Sequence, residues 1–254
     1  MIIVKTPAEV ATMRRACEIA AKALHAVVQA VRPGITTREL DTIAEDRIRA
    51  LGGVPSFLGY RGYPASLCVS VNDEVVHGIP GRRRLREGDI ASLDLGALVE
   101  GFHGDLAVTV PVGKVSEKLA HLLQVTSAAL EEGIRAVRAG RRLGDVGAAI
   151  QQYVESHGFS IVRDFAGHGV GRSLHEEPQI PNFGLPATGV VLRPGMTLAI
   201  EPMVNMGTPE VAVDPDGWTV RTRDHKASAH FEHTVAVTDT GADVLTRLPA
   251  DASV

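Results

Sequence analysis

Only two cysteines occur in the 254 residues, Cys17 and Cys68, and they form no CxxC pair. A disulfide framework is excluded, and the chain reads as one from a reducing cytosol with both thiols free. Excess charge is small as well. The net charge of −4 offers no general attraction to nucleic acid or to a membrane surface. Long apolar runs are missing. The longest helical one, IAAKALHAVVQAV, is broken by Lys22, His25 and Gln29, and is too short and too polar to span a bilayer. The opening MIIVKTPAEV lacks the basic stretch and apolar core of a secretory signal. These absences point to a soluble, cytoplasmic protein. The 44% hydrophobic content is ample for the core of one large globular domain or two small ones.

Thr6-Pro7-Ala8-Glu9 reads as an N-cap, a proline at the first helical position and a reciprocal glutamate. An amphipathic helix should run from there to about Val31 and stop at Arg32-Pro33-Gly34. Thr36 or Thr37 caps a second helix that ends at Gly52-Gly53. Strand-like runs follow at about 66–71, 90–99 and 102–112. Ser116 opens another helix pair, about 117–139 and 143–157, and the rest alternates strands with Gly/Pro turns to about residue 246. The tail ADASV reads as disordered.

A weak internal duplication underlies this order. Val31-Arg32-Pro33-Gly34 matches Val137-Arg138-Ala139-Gly140 at an offset of 106 residues, and Leu85-Arg86-Glu87-Gly88 matches Leu192-Arg193-Pro194-Gly195 at 107. The second register lays Asp94 on Glu201. Two halves, about 6–112 and 116–246, are expected to fold as helix pair plus strands. Their symmetry should bring the strands of Asp94 and Glu201 together. We expect one catalytic domain over 1–254 with no N-terminal extension domain.

Chemistry concentrates in five residues. Asp94 and Asp105 lie in LDLGALVEGFHGDLAV, His168 in AGHGVG, Glu201 in LAIEPM and Glu232 in HFEHTVAV. Each sits in or beside an apolar strand-like run, where a carboxylate without a partner is costly to bury. Residues 90–111, taken as a hairpin turning at Glu100-Gly101, pair Asp94 with Ala107 and Gly96 with Asp105. Leu93, Leu95, Ala97, Val99, Phe102, Leu106 and Val108 then form a core face. Both aspartates lie on the other face as diagonal neighbours, about 7–8 Å apart at the backbone. Gly96 and Ala107 are expected to leave room there for ions. Four carboxylates balance two divalent ions, and oxygen ligands with one imidazole suit Mn²⁺, Fe²⁺, Co²⁺ or Zn²⁺. No thiolate joins the set, which argues against a structural zinc. His175, seven residues after His168, and His77 in NDEVVHGIP are further candidates. His103, His230 and His233 flank ligand positions as supporting or merely buried groups.

At these residues the chain resembles type I methionine aminopeptidases. The resemblance runs through GYRGYPASLCVSVNDEVVHGIP, LDLGALVEGFHGD, GHGVGRSLHEEP, IEPM, DGWTVRTRD and FEHTVAVT, and covers about residues 5–248. It implies the duplicated pita-bread fold, an α+β arrangement of helices outside antiparallel sheets. It implies Asp94, Asp105, His168, Glu201 and Glu232 as ligands of two metal ions, with Asp105 and Glu232 bridging both. Glu201 would also shuttle the proton of a bridging water. His77 and His175 would contact the scissile amide, and Tyr60, Tyr63, Cys68 and Trp218 would line a soft, apolar methionine pocket. The substrate would be the initiator methionine of a new chain with a small second residue. Asn72 and Ser228 match positions that hold a monovalent cation in some relatives. Three positions depart from the pattern. Leu174 stands where phenylalanine is common, Phe57 where a smaller residue is, and His230 where glutamine is expected.

Two alternatives share this fold. A proline dipeptidase or X-Pro aminopeptidase would be indifferent to methionine, and a metal-free binding protein would have lost ligands that this chain keeps. The turn Arg82-Arg83-Arg84 with Arg86 reads as a solvated turn or as a transient contact with ribosomal RNA. No sequence-specific nucleic-acid binding and no membrane partner are expected, and the chain should be a monomer. Ile2 is bulky, so Met1 should be retained; an intact mass that includes Met1 is the expected result, and its loss would contradict the specificity reading.

Overall fold

The structure, a computed structural model, describes residues 1–247, so the tail ADASV lies outside the described residues. The first half holds helices α1 (Pro7–Ala30) and α2 (Thr37–Ala50), then strands β1 (Val54–Pro55), β2 (Cys68–Val71), β3 (Glu74–Val76), β4 (Ile90–Val99) and β5 (Phe102–Pro111). The second half repeats the plan with α3 (Glu117–Ala136) and α4 (Leu143–Ser156). After them come β6 (Ser160–Ile161), β7 (Gly167–Gly169), β8 (Glu176–Ile180), β9 (Thr197–Ile200) and β10 (Met203–Asn205). Strands β11 (Val211–Val213), β12 (Val220–Thr222), β13 (Ser228–His230), β14 (Glu232–Val237) and β15 (Ala242–Val244) complete the order.

Local chemistry sets the helix starts. Thr6 and Glu9 form a full capping box at α1, with Pro7 at the first helical position, and Thr36 with Glu39 does the same at α2. Ser116 caps α3. Helix α3 stops three residues short of the expected end, because Val137 turns to φ −70°, ψ 114° and its N–H closes back on the Ile134 carbonyl. Along α1 the buried residues Met13, Ala16, Cys17, Ala20, Leu24 and Val27 recur at the spacing of one helix face. That face packs on β4 and β5.

The main sheet runs β1-β4-β5-β14-β9-β7-β8, with β2 also on β4 and β15 on β14. The hairpin register matches expectation: Asp94 faces Ala107, and Gly96 faces Asp105. The two halves meet where Glu232 of β14 pairs with Ala107 of β5. One expectation is corrected here. The strands carrying Asp94 and Glu201 are not neighbours, since β5 and β14 lie between them. Symmetry makes β4 and β9 equivalent but places β5 and β14 at the centre and their partners outside. Each half keeps its own core, one packed under α1 and α2, the other under α3 and α4.

Segment 181–189 lies tightly against α4. A Cβ on Gly147 would come 2.5 Å from the Pro181 carbonyl oxygen and 2.6 Å from that of Phe183. The approach matters because Asn182, fully buried, donates to the backbone carbonyl of Glu201 at 3.0 Å. In an open helix a Gly→Ala change gains about 1 kcal/mol. Gly147→Ala should instead cost about 1–3 kcal/mol in urea unfolding, through overpacking against backbone. A gain in stability would show that the segment yields.

Candidate metal and substrate site

Five adjacent strands deliver one residue each to a single cavity. Asp94 comes from β4, Asp105 from β5, Glu232 from the start of β14, Glu201 from the residue after β9, and His168 from β7. His168 Nε2 lies 3.5 Å from Glu201 Oε1 and 3.9 Å from Asp105 Oδ2. Ligand atoms of Asp105, His168 and Glu232 all fall within 4.8 Å of one another, and Asp94 lines the same cavity. The glycines of GHGVG permit this closeness. A Cβ on Gly167 would run into the Ala199 carbonyl of β9, and one on Gly169 into the Glu177 carbonyl of β8.

The site is electrostatically unfinished without cations. Asp94 Oδ1, Asp105 Oδ1 and Glu232 Oε1 are buried with no hydrogen-bond partner. Burial, then mutual repulsion, pushes the carboxyls of Asp94, Asp105 and Glu232 well above their ordinary range. Burial acts on Glu201 too, but the His230 imidazole 3.4 Å away and the other nearby imidazoles hold it below that range. Orphaned carboxylate oxygens around an imidazole are the donors that divalent ions require, so these residues fit metal binding.

His230 belongs to this group although its sequence position marks it only as a neighbour of Glu232. Its Nε2 lies 3.4 Å from Glu201 Oε2, and His230, Glu201 and Glu232 bring ligand atoms within 4.8 Å of one another. Gly96 has a different role from the one expected. The space that its Cβ would occupy is filled by Ser56 of the loop after β1, 2.9 Å away, and not left open for ions.

The rest of the lining is largely apolar. Tyr60, Tyr63, Cys68, Leu174, Phe57 and Trp218 line the same cavity of about 140 Å³, together with His77, His175 and all five acidic and imidazole groups. Arg61, which sequence reasoning passed over, also lines it. Tyr63 spends its hydroxyl on the carbonyls of Leu67 and Gly78, at 3.2 and 3.0 Å, and turns its ring edge-on to Trp218. Asp41 of α2 accepts from Ser66 N and Leu67 N, which ties this loop to the first helix pair.

His77 sits at φ 61°, a conformation that costs a non-glycine residue about 1–3 kcal/mol. The next residue holds it there. Gly78 N–H donates to Ser70 Oγ at 3.1 Å, and its carbonyl accepts from Val69 N–H and the Tyr63 hydroxyl. His175 stacks on Tyr60 at 5.2 Å, with Nδ1 2.9 Å from the Tyr60 hydroxyl. Burial lowers the pKa of both histidines, that of His175 to about 4. Both are therefore neutral imidazoles at neutral pH. Asn72 and Ser228 also meet, through the Ser228 N–H on the Asn72 carbonyl at 2.8 Å.

Comparisons with known proteins agree with this geometry. The model of metallopeptidase family M24 matches residues 11–239, and the chain belongs to that family. The methionine aminopeptidase 1 of Bacillus subtilis is 53% identical over 248 residues, covering 98% of this chain and all of that one. The crystal structure of methionine aminopeptidase from Thermotoga maritima superposes with a TM-score of 0.96 at 50% identity, covering 98% of this chain and 100% of that one. The prolidase of Pyrococcus furiosus shares the fold alone, with a TM-score of 0.76 at 24% identity over 97% of this chain and 66% of that one. The fold is thus the duplicated pita-bread fold, and the chain is a metallopeptidase. Among the described residues no helix is long and apolar enough to cross a membrane.

The raised carboxyl of Asp94 gives a signed prediction. Below about pH 4 the carboxyl is protonated folded or unfolded, and it costs nothing. As pH rises from there toward its raised folded value, only the native state resists ionisation, and stability falls. With metal stripped, Asp94→Asn should therefore be more stable than the parent at pH 7–8, by up to about 3 kcal/mol. That advantage should close toward pH 4 in thermal melts. A variant less stable than the stripped parent at neutral pH would contradict the charge reading.

Proposed function

We propose that the enzyme removes the N-terminal methionine of new polypeptides whose second residue is small. One observation carries the reading. Cys68 of the apolar wall is the register partner of Asp94 of the acidic wall. A side-chain pocket and a hydrolytic centre are thus one strand apart, in a cavity sized for one residue. A substrate whose first side chain fills that pocket presents its first peptide bond to the carboxylates, which is exopeptidase geometry.

Asp94, Asp105, His168, Glu201 and Glu232 would hold two divalent ions, drawn from Mn²⁺, Fe²⁺, Co²⁺ and Zn²⁺. When bound, such ions lower the pKa of a water and polarise the scissile carbonyl. The chain's own groups do the rest. Glu201, oriented by His230 at 3.4 Å and by Asn182 on its backbone, accepts a proton from the attacking water and passes it to the leaving amine. Tyr60 Oη and His175 Nδ1 share a hydrogen bond at 2.9 Å; with the hydroxyl as donor, the imidazole proton would stand on Nε2. His175 and His77, both neutral, then offer N–H donors to the oxygen that gains charge. Trp218, Tyr63 and Cys68 take the thioether side chain.

The same reading makes the two halves one catalytic unit, a monomer that works in the cytoplasm on emerging chains. A monovalent cation would sit where Asn72 and Ser228 meet. Arg82, Arg84 and Arg86 are exposed and would give a transient contact with ribosomal RNA, while Arg83 is paired with Glu74 at 2.8 Å.

Substrate choice tests the proposal. The metal-loaded enzyme should release methionine from Met-Gly-Met-Met and leave Ala-Pro-Gly intact. Glu201→Gln should lower kcat about 10²-fold or more, as expected for a lost proton carrier. Cleavage of Ala-Pro-Gly alone would move the enzyme to the proline-specific branch. No release from either peptide would sink the proposal.

A further inference from the structure

Among the described residues, the most buried ion pair formed by a lysine or arginine lies outside the cavity. It joins Lys5 to Glu176, whose side chains are 2% and 5% exposed. Such a pair is costly to desolvate and gives little net stability compared with apolar packing, so its value lies in fixing geometry. Lys5 precedes the N-cap of α1 and is held by its own backbone, whose N–H donates to the Gly195 carbonyl at 2.8 Å. Glu176 opens β8 and immediately follows His175. Its second oxygen accepts the Ser173 N–H at 3.2 Å.

The pair fits into space left by a glycine. A Cβ on Gly171 would overlap the Lys5 Cε and Nζ atoms and Glu176 Oε1. Gly171 also accepts the His103 N–H at 2.8 Å, so the loop after β7 is pinned to the start of β5 as well. A second clamp comes from the first turn of α1. Glu9 takes the Arg172 guanidinium at 3.0 Å, and that guanidinium lies over the Phe102 ring. Residues 172–176 are therefore held at both ends by the segment that begins α1. Between those ends stands His175, whose ring lies 4.1 Å from that of His168.

We propose that Lys5 is a positioning residue for His175, acting through Glu176 to set where the imidazole stands over the scissile amide. The proposal rests on the reading of His175 given above. Among the described residues Lys5 hydrogen-bonds to Ile3, Glu176 and Gly195 and to none of the five ligand residues.

A double-mutant cycle tests it, with methionine release from Met-Gly-Met-Met by the metal-loaded protein. Lys5→Met should lower kcat about tenfold or more and move KM by less than about threefold, with ion affinity unchanged in calorimetry. In the His175→Ala background the same change should alter kcat less than about twofold, because the residue it acts through is gone. Lys5→Arg should restore most of the activity. Equal losses in both backgrounds, an unchanged kcat, or a loss explained by weaker ion binding would overturn the proposal. If Lys5→Met does not fold, Glu176→Gln carries the same cycle. Failure of both to fold would make the pair a determinant of the fold and overturn the positioning role. A parent enzyme that releases no methionine would sink the functional reading instead.

Discussion

The structure depends on one costly act, the burial of four carboxylates on one face of one sheet. Asp94, Asp105 and Glu232 are almost wholly buried, and each keeps an oxygen without a hydrogen-bond partner. Like charges at this spacing raise one another's proton affinity, so the carboxylates by themselves work against folding. A metallopeptidase gains function from the same strain. Ions that relieve it would be bound tightly, and in the proposed reading they would sit where a peptide bond can be attacked.

The rest of the fold serves that constraint. Two similar halves each supply a layer of helices and an apolar core, and the strands between them carry the charge. Close approach is obtained with glycine at Gly167 and Gly169, where a side chain would collide with neighbouring carbonyls. The two histidines proposed to contact substrate stand at the edges of the cluster, on loops fixed from outside it: His77 by the bonds of Gly78, and His175 by Tyr60 and by the clamp that begins α1.

Much of this was legible in the chain, for identifiable reasons. A capping box is written in adjacent residues, so the starts of α1 and α2 could be read directly. The 90–111 hairpin could be read because its period of two and its turn at Glu100-Gly101 fix a single register. The candidate ligand residues stood out because carboxylates inside apolar strands need partners, and the structure brings all five to one cavity. Duplication was visible too, but it conveys equivalence and not adjacency, and so the strands of Asp94 and Glu201 were wrongly brought together. Gly96 was misread because the loop that fills its space is distant in sequence. His230 and Lys5 left little signal. One is a histidine beside a ligand, the other a lysine near a chain start, and only the folded packing shows that both are buried and aimed at functional groups.

Hydrolysis is proposed to depend on a pair of divalent ions held by the five strand-borne groups. Titrating the stripped protein with Mn²⁺, while counting bound ions and following methionine release in the same samples, tests it most directly. The account predicts binding that saturates at two ions per chain, with turnover rising as the sites fill and both lost in Asp105→Asn. Turnover in the stripped protein, or ion binding that survives removal of Asp105, would contradict it.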